Sequence, residues 1–210
     1  MAIAALLLTF VMLGSRWLDN YLYAFAAQSW AIALLGLAVG WFTRTPELYL
    51  TGVLTAAFRG LLLPGLIWRM IRRLEIAREL HERLRPASAL VAGALAVIFS
   101  LFVARAIIGP LGLAGTTALL ALTVMVATVL IGFLMLALRQ EAISQLIGHL
   151  VVDNGIRLGA QMLVPGMPLL IELMVLFDVL IAVACFGVLV RYLLARFGTA
   201  STAALQRLAG

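Results

Sequence analysis

Long apolar runs separated by short polar breaks organise this chain from end to end. Runs approaching the ~20 residues that cross a bilayer as a helix fall at 2–15, 21–42, 48–68, 87–104, 112–138, 142–164 and 167–194. The breaks carry turn chemistry: "RTPE" at 44–47, "GPLG" at 109–112 and "PGMP" at 165–168, where proline and glycine stop a helix. The pattern predicts an all-α, polytopic helical membrane protein with six or seven transmembrane helices, the first run being the shortest. One stretch reads differently. In "RMIRRLEIARELHERLR" (69–85), apolar positions 70, 74, 77, 80 and 84 keep helical spacing while Glu75 with Arg78 and Glu79 with Arg83 are spaced as ion pairs, the pattern of a surface helix. It either continues the third run or lies on the membrane, as a solvated connector or as a docking surface for a peripheral partner. The expected organisation is therefore 1–111, transmembrane helices with a basic cytoplasmic segment at 69–85; 112–194, three transmembrane helices; and 195–210, a cytoplasmic tail.

Composition sharpens this picture. The chain is 65% hydrophobic and 11% charged, against about 25% charged in soluble domains. The opening "MAIAALLLTFVML" has no basic leader, so it reads as a retained first span and not a removed signal peptide. A net charge of +6 in a soluble protein suggests nucleic acid. Here the arginines sit at span ends, and alternating the spans places eleven on one side (16, 69, 72, 73, 78, 83, 85, 139, 191, 196 and 207) and two, Arg44 and Arg105, on the other. The excess marks the cytoplasmic face, which puts the C-terminus in the cytoplasm. The single cysteine, Cys185, allows no internal disulfide and reads as a small packing residue.

Polar groups inside the apolar runs carry the candidate chemistry. On the sixth run Gln145, His149, Asp153, Arg157 and Gln161 recur every four residues. Each step of four advances 400°, so they form a slowly winding stripe about 24 Å long. Such a stripe must face protein or water. Asp153 and Arg157 are spaced to pair directly. Gly155 and Gly159 form a small-xxx-small pair that lets a neighbouring helix approach. The seventh run adds Glu172 and Asp178, the second Gln28, and the third Arg59, followed by Pro64, which loosens helix backbone. Each ionisable group at mid-membrane costs ~2.5–3.5 kcal/mol. A structural ion-pair network offsets that cost by pairing. A proton path uses it: carboxylates on two adjacent helices beside a titratable His149, with desolvation and a nearby arginine acting on them in opposite directions. No HExxH, GxSxG in a suitable place, catalytic aspartate pair or Cys/His cluster suggests an intramembrane enzyme.

The stretches "LRQEAISQLIGHLVVDNGIRL" and "PGMPLLIELMVLFDVLIAVACFGVLVRYL" resemble component E of hydrogenase-4, a membrane subunit of formate hydrogenlyase-type and related group 4 hydrogenase complexes. "AFAAQSW", "PELYL…AAFRGLLLPGLI" and "FGTASTAALQRLAG" extend the resemblance over nearly the whole chain, with "DNG…P…IEL…D" its most specific part. More distantly, 112–194 resembles the K subunit of respiratory complex I and the C subunit of multisubunit Na⁺/H⁺ antiporters, which carry carboxylates on two consecutive helices. On that resemblance Asp153 and Asp178 fall near those carboxylates. It implies a non-catalytic subunit of a proton-translocating oxidoreductase complex in a bacterial inner membrane. Asp153, Asp178, Glu172, His149, Arg59 and Arg157 would serve proton transfer. No cofactor is implied, and the expected partners are antiporter-like and quinone- or hydrogenase-anchor-like membrane subunits, the lipid bilayer and, indirectly, a peripheral redox arm, with no nucleic acid. Two departures stand out: the resembled family often has Glu where this chain has Asp153 and Lys where it has Arg59. Arginine stays protonated under nearly all conditions, so Arg59 reads as a fixed charge and not as a relay. A purely structural subunit and a stand-alone cation transporter are the alternatives. The latter usually shows repeats or broken helices around a central site, for which only the Pro64 region and "PGMP" are suggestive.

Overall fold

The computed structural model describes residues 1–44, 46–73, 86–110 and 115–163, together with eight single helical positions between 177 and 195. These residues are helical almost throughout, with no β-strand among them. The helices are α1 (Ala2–Gly14), α2 (Leu18–Thr43), α3 (Pro46–Thr55), a π-helical segment (Ala56–Leu62), α4 (Leu63–Arg73), α5 (Pro86–Ile108), α6 (Thr116–Leu138) and α7 (Ala142–Leu163). Among the described residues four helical stretches are long and apolar enough to cross a membrane: Leu18–Thr43, Leu48–Arg69, Pro86–Ile108 and Thr116–Leu138. This is a membrane protein by the length and composition of its helices. The predicted seventh run, the segment 74–85 and the tail lie outside the described residues, apart from the eight single positions.

Local sequence explains where the helices begin and end. α2 carries Asp19 in its first turn, where the helix dipole favours a carboxylate. It stops at Arg44, whose left-handed backbone (φ +54°) closes the helix two residues before Pro46. Pro46 then opens α3, the position where its missing N–H costs nothing. The third predicted run is one continuous rod of α3, the π segment and α4, and it does not stop at residue 68 but runs on to Arg73. Its π turn has a visible cause in Pro64. Inside a helix, proline donates no hydrogen bond and its ring crowds the carbonyl four residues back. The backbone widens just ahead of it, and the N–H of Leu63 reaches the carbonyl of Phe58, five residues back.

Contact register gives the direction of each helix against its neighbours. A Cβ added at Gly132 meets Val152, at Gly155 Val129 and at Gly159 Met125. As one number rises the other falls, so α6 and α7 form an antiparallel hairpin. Gln28 of α2 reaches Ala5 and Thr9 of α1, and Gly52 and Gly60 of the third rod meet Leu37 and Trp30 of α2, again antiparallel. By contrast Asn154 meets Gln28 while Gln161 meets Gly36, so α7 runs parallel to α2. The core crosses residue 111 without a break: Tyr21, Phe25, Leu63 and Ile67 share one buried cluster with Ile131, Met135, Ile143 and Ile147.

Arg139, which the sequence suggested as a loop charge, is buried (2% exposed). It does sit at the predicted end of the bundle, but its guanidinium turns inward. Its Nη2 donates to the carbonyls of Met12 (3.2 Å), Leu13 (3.2 Å) and Ser15 (3.0 Å). The last carbonyls of α1 have no partners within their own helix, and a cation is favoured at that negative dipole end. Arg139 also lies over the ring of Tyr21, 5.1 Å from its centroid. One side chain thus ties the C-terminal end of α1 to the α6–α7 turn.

Candidate functional site

α7 is the polar member of the bundle and its most enclosed one. Asn154, Gly155, Leu158 and Gly159 are buried, as are Leu146 to Gly148 and Leu150 to Val152. Gln145, His149, Asp153 and Arg157 are half-buried, spaced one turn apart along a single seam, and Ile156 beside them is exposed. Four of the five residues of the stripe read from the sequence are therefore the less covered line of an otherwise enclosed helix. Gln161, the last member, is turned inward and buried against α2. Neither of its amide atoms has a hydrogen-bond partner.

The main constellation lies where α7 meets the π segment. Arg59 projects from that segment and is 1% exposed, with Asp153 at 18%. The guanidinium forks across two consecutive residues of α7. Nη2 donates to Asp153 Oδ2 in an ion pair, and Nη1 donates to Asn154 Oδ1 at 2.9 Å. Successive helical residues point 100° apart, so the planar fork bridges the edge between the seam and the buried face. The expectation from spacing was an Asp153–Arg157 pair. Instead, the structure gives Asp153 the Arg59 guanidinium, while Arg157 Nη1 donates to Thr55 Oγ1 at 3.4 Å. Arg59 with Asp153 and Thr55 with Arg157 are successive rungs, so the third rod and α7 run antiparallel.

From Arg59 the hydrogen bonds continue inward across two more helices. Asn154 Nδ2 donates to Gln28 Oε1 at 3.1 Å and to Ser29 Oγ at 3.3 Å. Gln28 Nε2 donates to Thr9 Oγ1 at 2.8 Å and to the Ala5 carbonyl at 3.4 Å. The Thr9 hydroxyl donates to the same carbonyl at 2.9 Å. Arg59, Asn154, Gln28, Ser29 and Thr9 are all buried. The carboxamides and hydroxyls orient one another in one sense, from the guanidinium to a backbone carbonyl of α1. That end is closed, because an amide N–H surrenders no proton near neutral pH. The open end is Asp153, on the seam.

Of the six predicted site residues, Arg59 and Asp153 are in direct contact, Arg157 lies one turn further along the same groove, and His149 lies one turn back on the seam. Glu172 and Asp178 lie outside the described residues. Sequence reasoning saw Gln28 only as a stray polar group and did not assign Asn154, Thr9, Ser29 or Thr55 to the site. Asn154 had a readable signal: it follows Asp153 on a helix whose other face is mostly apolar. Among the described residues no cluster of three or more His, Cys, Asp or Glu is gathered.

Comparison with known proteins adds a relative. The "Uncharacterized protein Rv0085" of Mycobacterium tuberculosis (strain ATCC 25618 / H37Rv) is 32% identical to this chain over 184 residues, 87% of this chain and 82% of that protein. The chain belongs to the family of that protein. A match covering 87% of the chain takes in both Arg59 and Asp153 wherever it begins, so the relationship spans both sides of the site. No family model matches the chain, and no solved structure matches it.

Proposed function

We propose that this chain is a membrane subunit of a proton-translocating group 4 hydrogenase-like or complex I-like assembly, in which Asp153 is the proton-responsive group and Arg59 its fixed counter-charge. The observation that carries this reading is the Arg59–Asp153 pair: an ion pair on a π turn, closed at its inner end and half-open at the carboxylate. π turns inside helices recur at functional sites. Protonation of Asp153 neutralises it and releases the guanidinium. Arg59 keeps its charge, held by Asn154, and is free to act on the next carboxylate. Proton arrival thus becomes a movement of charge between helices. The resemblance to component E of hydrogenase-4 supplies the next carboxylate as Asp178, with Glu172 near the membrane boundary and His149 as a donor on the seam. Partners are antiporter-like and quinone- or hydrogenase-anchor-like membrane subunits, and redox chemistry belongs to them. The setting is a bacterial inner membrane. α1 and α7 join the four stretches Leu18–Thr43, Leu48–Arg69, Pro86–Ile108 and Thr116–Leu138 as spans, which gives six; the run at 167–194 makes a seventh and leaves the C-terminus in the cytoplasm.

One observation favours a second reading, a structural subunit. Both Nη groups of Arg59 are held, by Asp153 and Asn154, and such a pair holds helices together with no proton movement. Substitution separates the two. In the assembled complex reconstituted into vesicles, Asp153→Asn and Asp178→Asn each abolish or strongly reduce ΔpH formed per turnover of the redox partner while the complex stays intact. Pumping at the wild-type level in an assembled Asp153→Asn complex refutes the relay and leaves the structural reading.

A further inference from the structure

A second feature lies along the third rod, away from the Arg59–Asp153 pair in its lining residues. Between α2 and the rod runs an apolar groove of about 330 Å³, with Tyr23 and Ala26 on one wall and Gly60, Leu61, Gly65 and Trp68 on the other. Gly65 and Trp68 also line a second hollow of about 570 Å³, whose remaining walls are Arg69 and Arg72. The two hollows therefore join at Trp68. The apolar one lies within the stretch Leu48–Arg69 that is long and apolar enough to span a membrane, and the basic one lies at and just beyond its end. From residue 60 to residue 72 is about 18 Å at roughly 1.5 Å per residue, close to half of a ~30 Å hydrocarbon core. Tyr23, Leu61, Trp68, Arg69 and Arg72 are all exposed. A Cβ added at Gly65 meets nothing within 4 Å, so the floor of the groove is open.

The chemistry at the two ends differs in the way a phospholipid does. The guanidinium carbon of Arg72 lies over the Trp68 ring, 3.7 Å from its centroid. A guanidinium held over an aromatic face can still bind a phosphate oxygen through its N–H groups. Trp68 sits at the apolar–polar boundary, where an indole is favoured at a membrane interface. Basic pockets at the ends of transmembrane helices collect anionic headgroups. We infer that this groove binds one anionic phospholipid of the surrounding bilayer, its phosphate on Arg69 and Arg72 and one acyl chain along Trp68, Gly65 and Leu61. Charge complementarity selects an anionic lipid over a zwitterionic one. A site confined to one leaflet's depth selects a lipid over a soluble phosphate compound. The site is independent of the Asp153 proposal and can fail without it.

The test uses the full chain in vesicles of phosphatidylcholine containing brominated phosphatidylglycerol or brominated phosphatidylcholine. Bromine quenches tryptophan at contact distance, and the Trp68 contribution is the difference from a Trp68→Phe protein. The expected result is a relative association constant favouring phosphatidylglycerol by about fivefold to twentyfold, since each arginine beside an anionic surface contributes roughly fivefold. Arg69→Gln with Arg72→Gln brings the ratio close to one. Arg105→Gln, which removes an exposed arginine at the end of α5, leaves it unchanged. Equal quenching by both lipids in the unsubstituted protein overturns the site, and so does a preference that survives loss of both arginines.

Discussion

A single guanidinium decides most of what happens at the centre of this bundle. An arginine in hydrocarbon is costly, and Arg59 meets that cost by splitting its donors between a carboxylate and a carboxamide on one helix. Breaking a buried pair from one side costs about 3–5 kcal/mol, because the remaining charge is stranded. Arg59→Gln and Asp153→Asn should therefore each lower the unfolding midpoint of the purified protein in micelles. The double variant should be less destabilised than the sum of the two, giving a coupling of ~0.5–3 kcal/mol. Additive losses would mean that the pair contributes nothing as a pair. Asn154→Ala is the sharper probe of the inner chain. It removes the acceptor of Arg59 and the donor to Gln28 together, and each orphaned buried group costs ~1–3 kcal/mol. A midpoint unchanged in Asn154→Ala would show that the inner hydrogen bonds carry no stability. At this scale the sequence revealed which polar residues are unusual but not which of them meet. Asp153 and Arg157 have the spacing of a pair, yet Asp153 pairs across 94 positions of chain, and one helix's periodicity carries no information about another helix's position.

At the scale of elements, the bundle is built around the least apolar of its long helices. α7 is 22 residues long, as long as the rod stretch Leu48–Arg69, but its polar stripe keeps it out of the group that spans by composition alone. Its enclosure comes from glycine. A Cβ at Gly132 of α6 falls 2.9 Å from the backbone nitrogen of Val152 and 3.2 Å from the carbonyl oxygen of Gly148, and one at Gly155 falls 3.0 Å from the backbone nitrogen of Val129. Backbone cannot step aside as a side chain can. Gly132→Ala should separate α6 from α7 and destabilise by about 1–3 kcal/mol, the usual cost of overpacking. Gly65→Ala meets open space and should be neutral or stabilising by up to ~1 kcal/mol through helix propensity. Thermal unfolding of both variants under one condition tests the contrast, and equal shifts would count against the close approach. The small-residue spacing of Gly155 and Gly159 was legible in the sequence, and so was a disturbance at Pro64. The form of that disturbance was not. A proline relieved by a bend and one relieved by a wider turn look the same in sequence, and only packing against α2, where Gly60 accepts Trp30, distinguishes them.

Across the whole molecule, helix direction is the property that sequence and structure address by independent routes. Arginine bias puts residues 16, 69, 72 and 139 on one side and 44 and 105 on the other. Contact register reaches the same partition with no reference to charge. α1 opposes α2, α2 opposes the third rod, and α6 opposes α7, while α2 and α7 run together. Arg139 ties the end of α6 to Ser15, next to Arg16. Gly14 and Gly93 lie against Leu90 and Leu13, so α5 begins where α1 ends and opposes it. The described helix ends therefore fall at one of two ends of the bundle, and residues 16 and 44 are at opposite ones. Both are exposed, so each can be replaced by cysteine after Cys185→Ser with little structural cost. A membrane-impermeant maleimide applied to sealed cells should label position 44 and spare position 16. Inverted vesicles should show the reverse if the arginine-rich end faces the cytoplasm, as the charge bias predicts. Labelling of both positions from one face would break the alternation. Reversed labelling would keep the fold, place Arg69 and Arg72 on the outer leaflet, and turn the open carboxylate seam of α7 over with respect to the proton gradient.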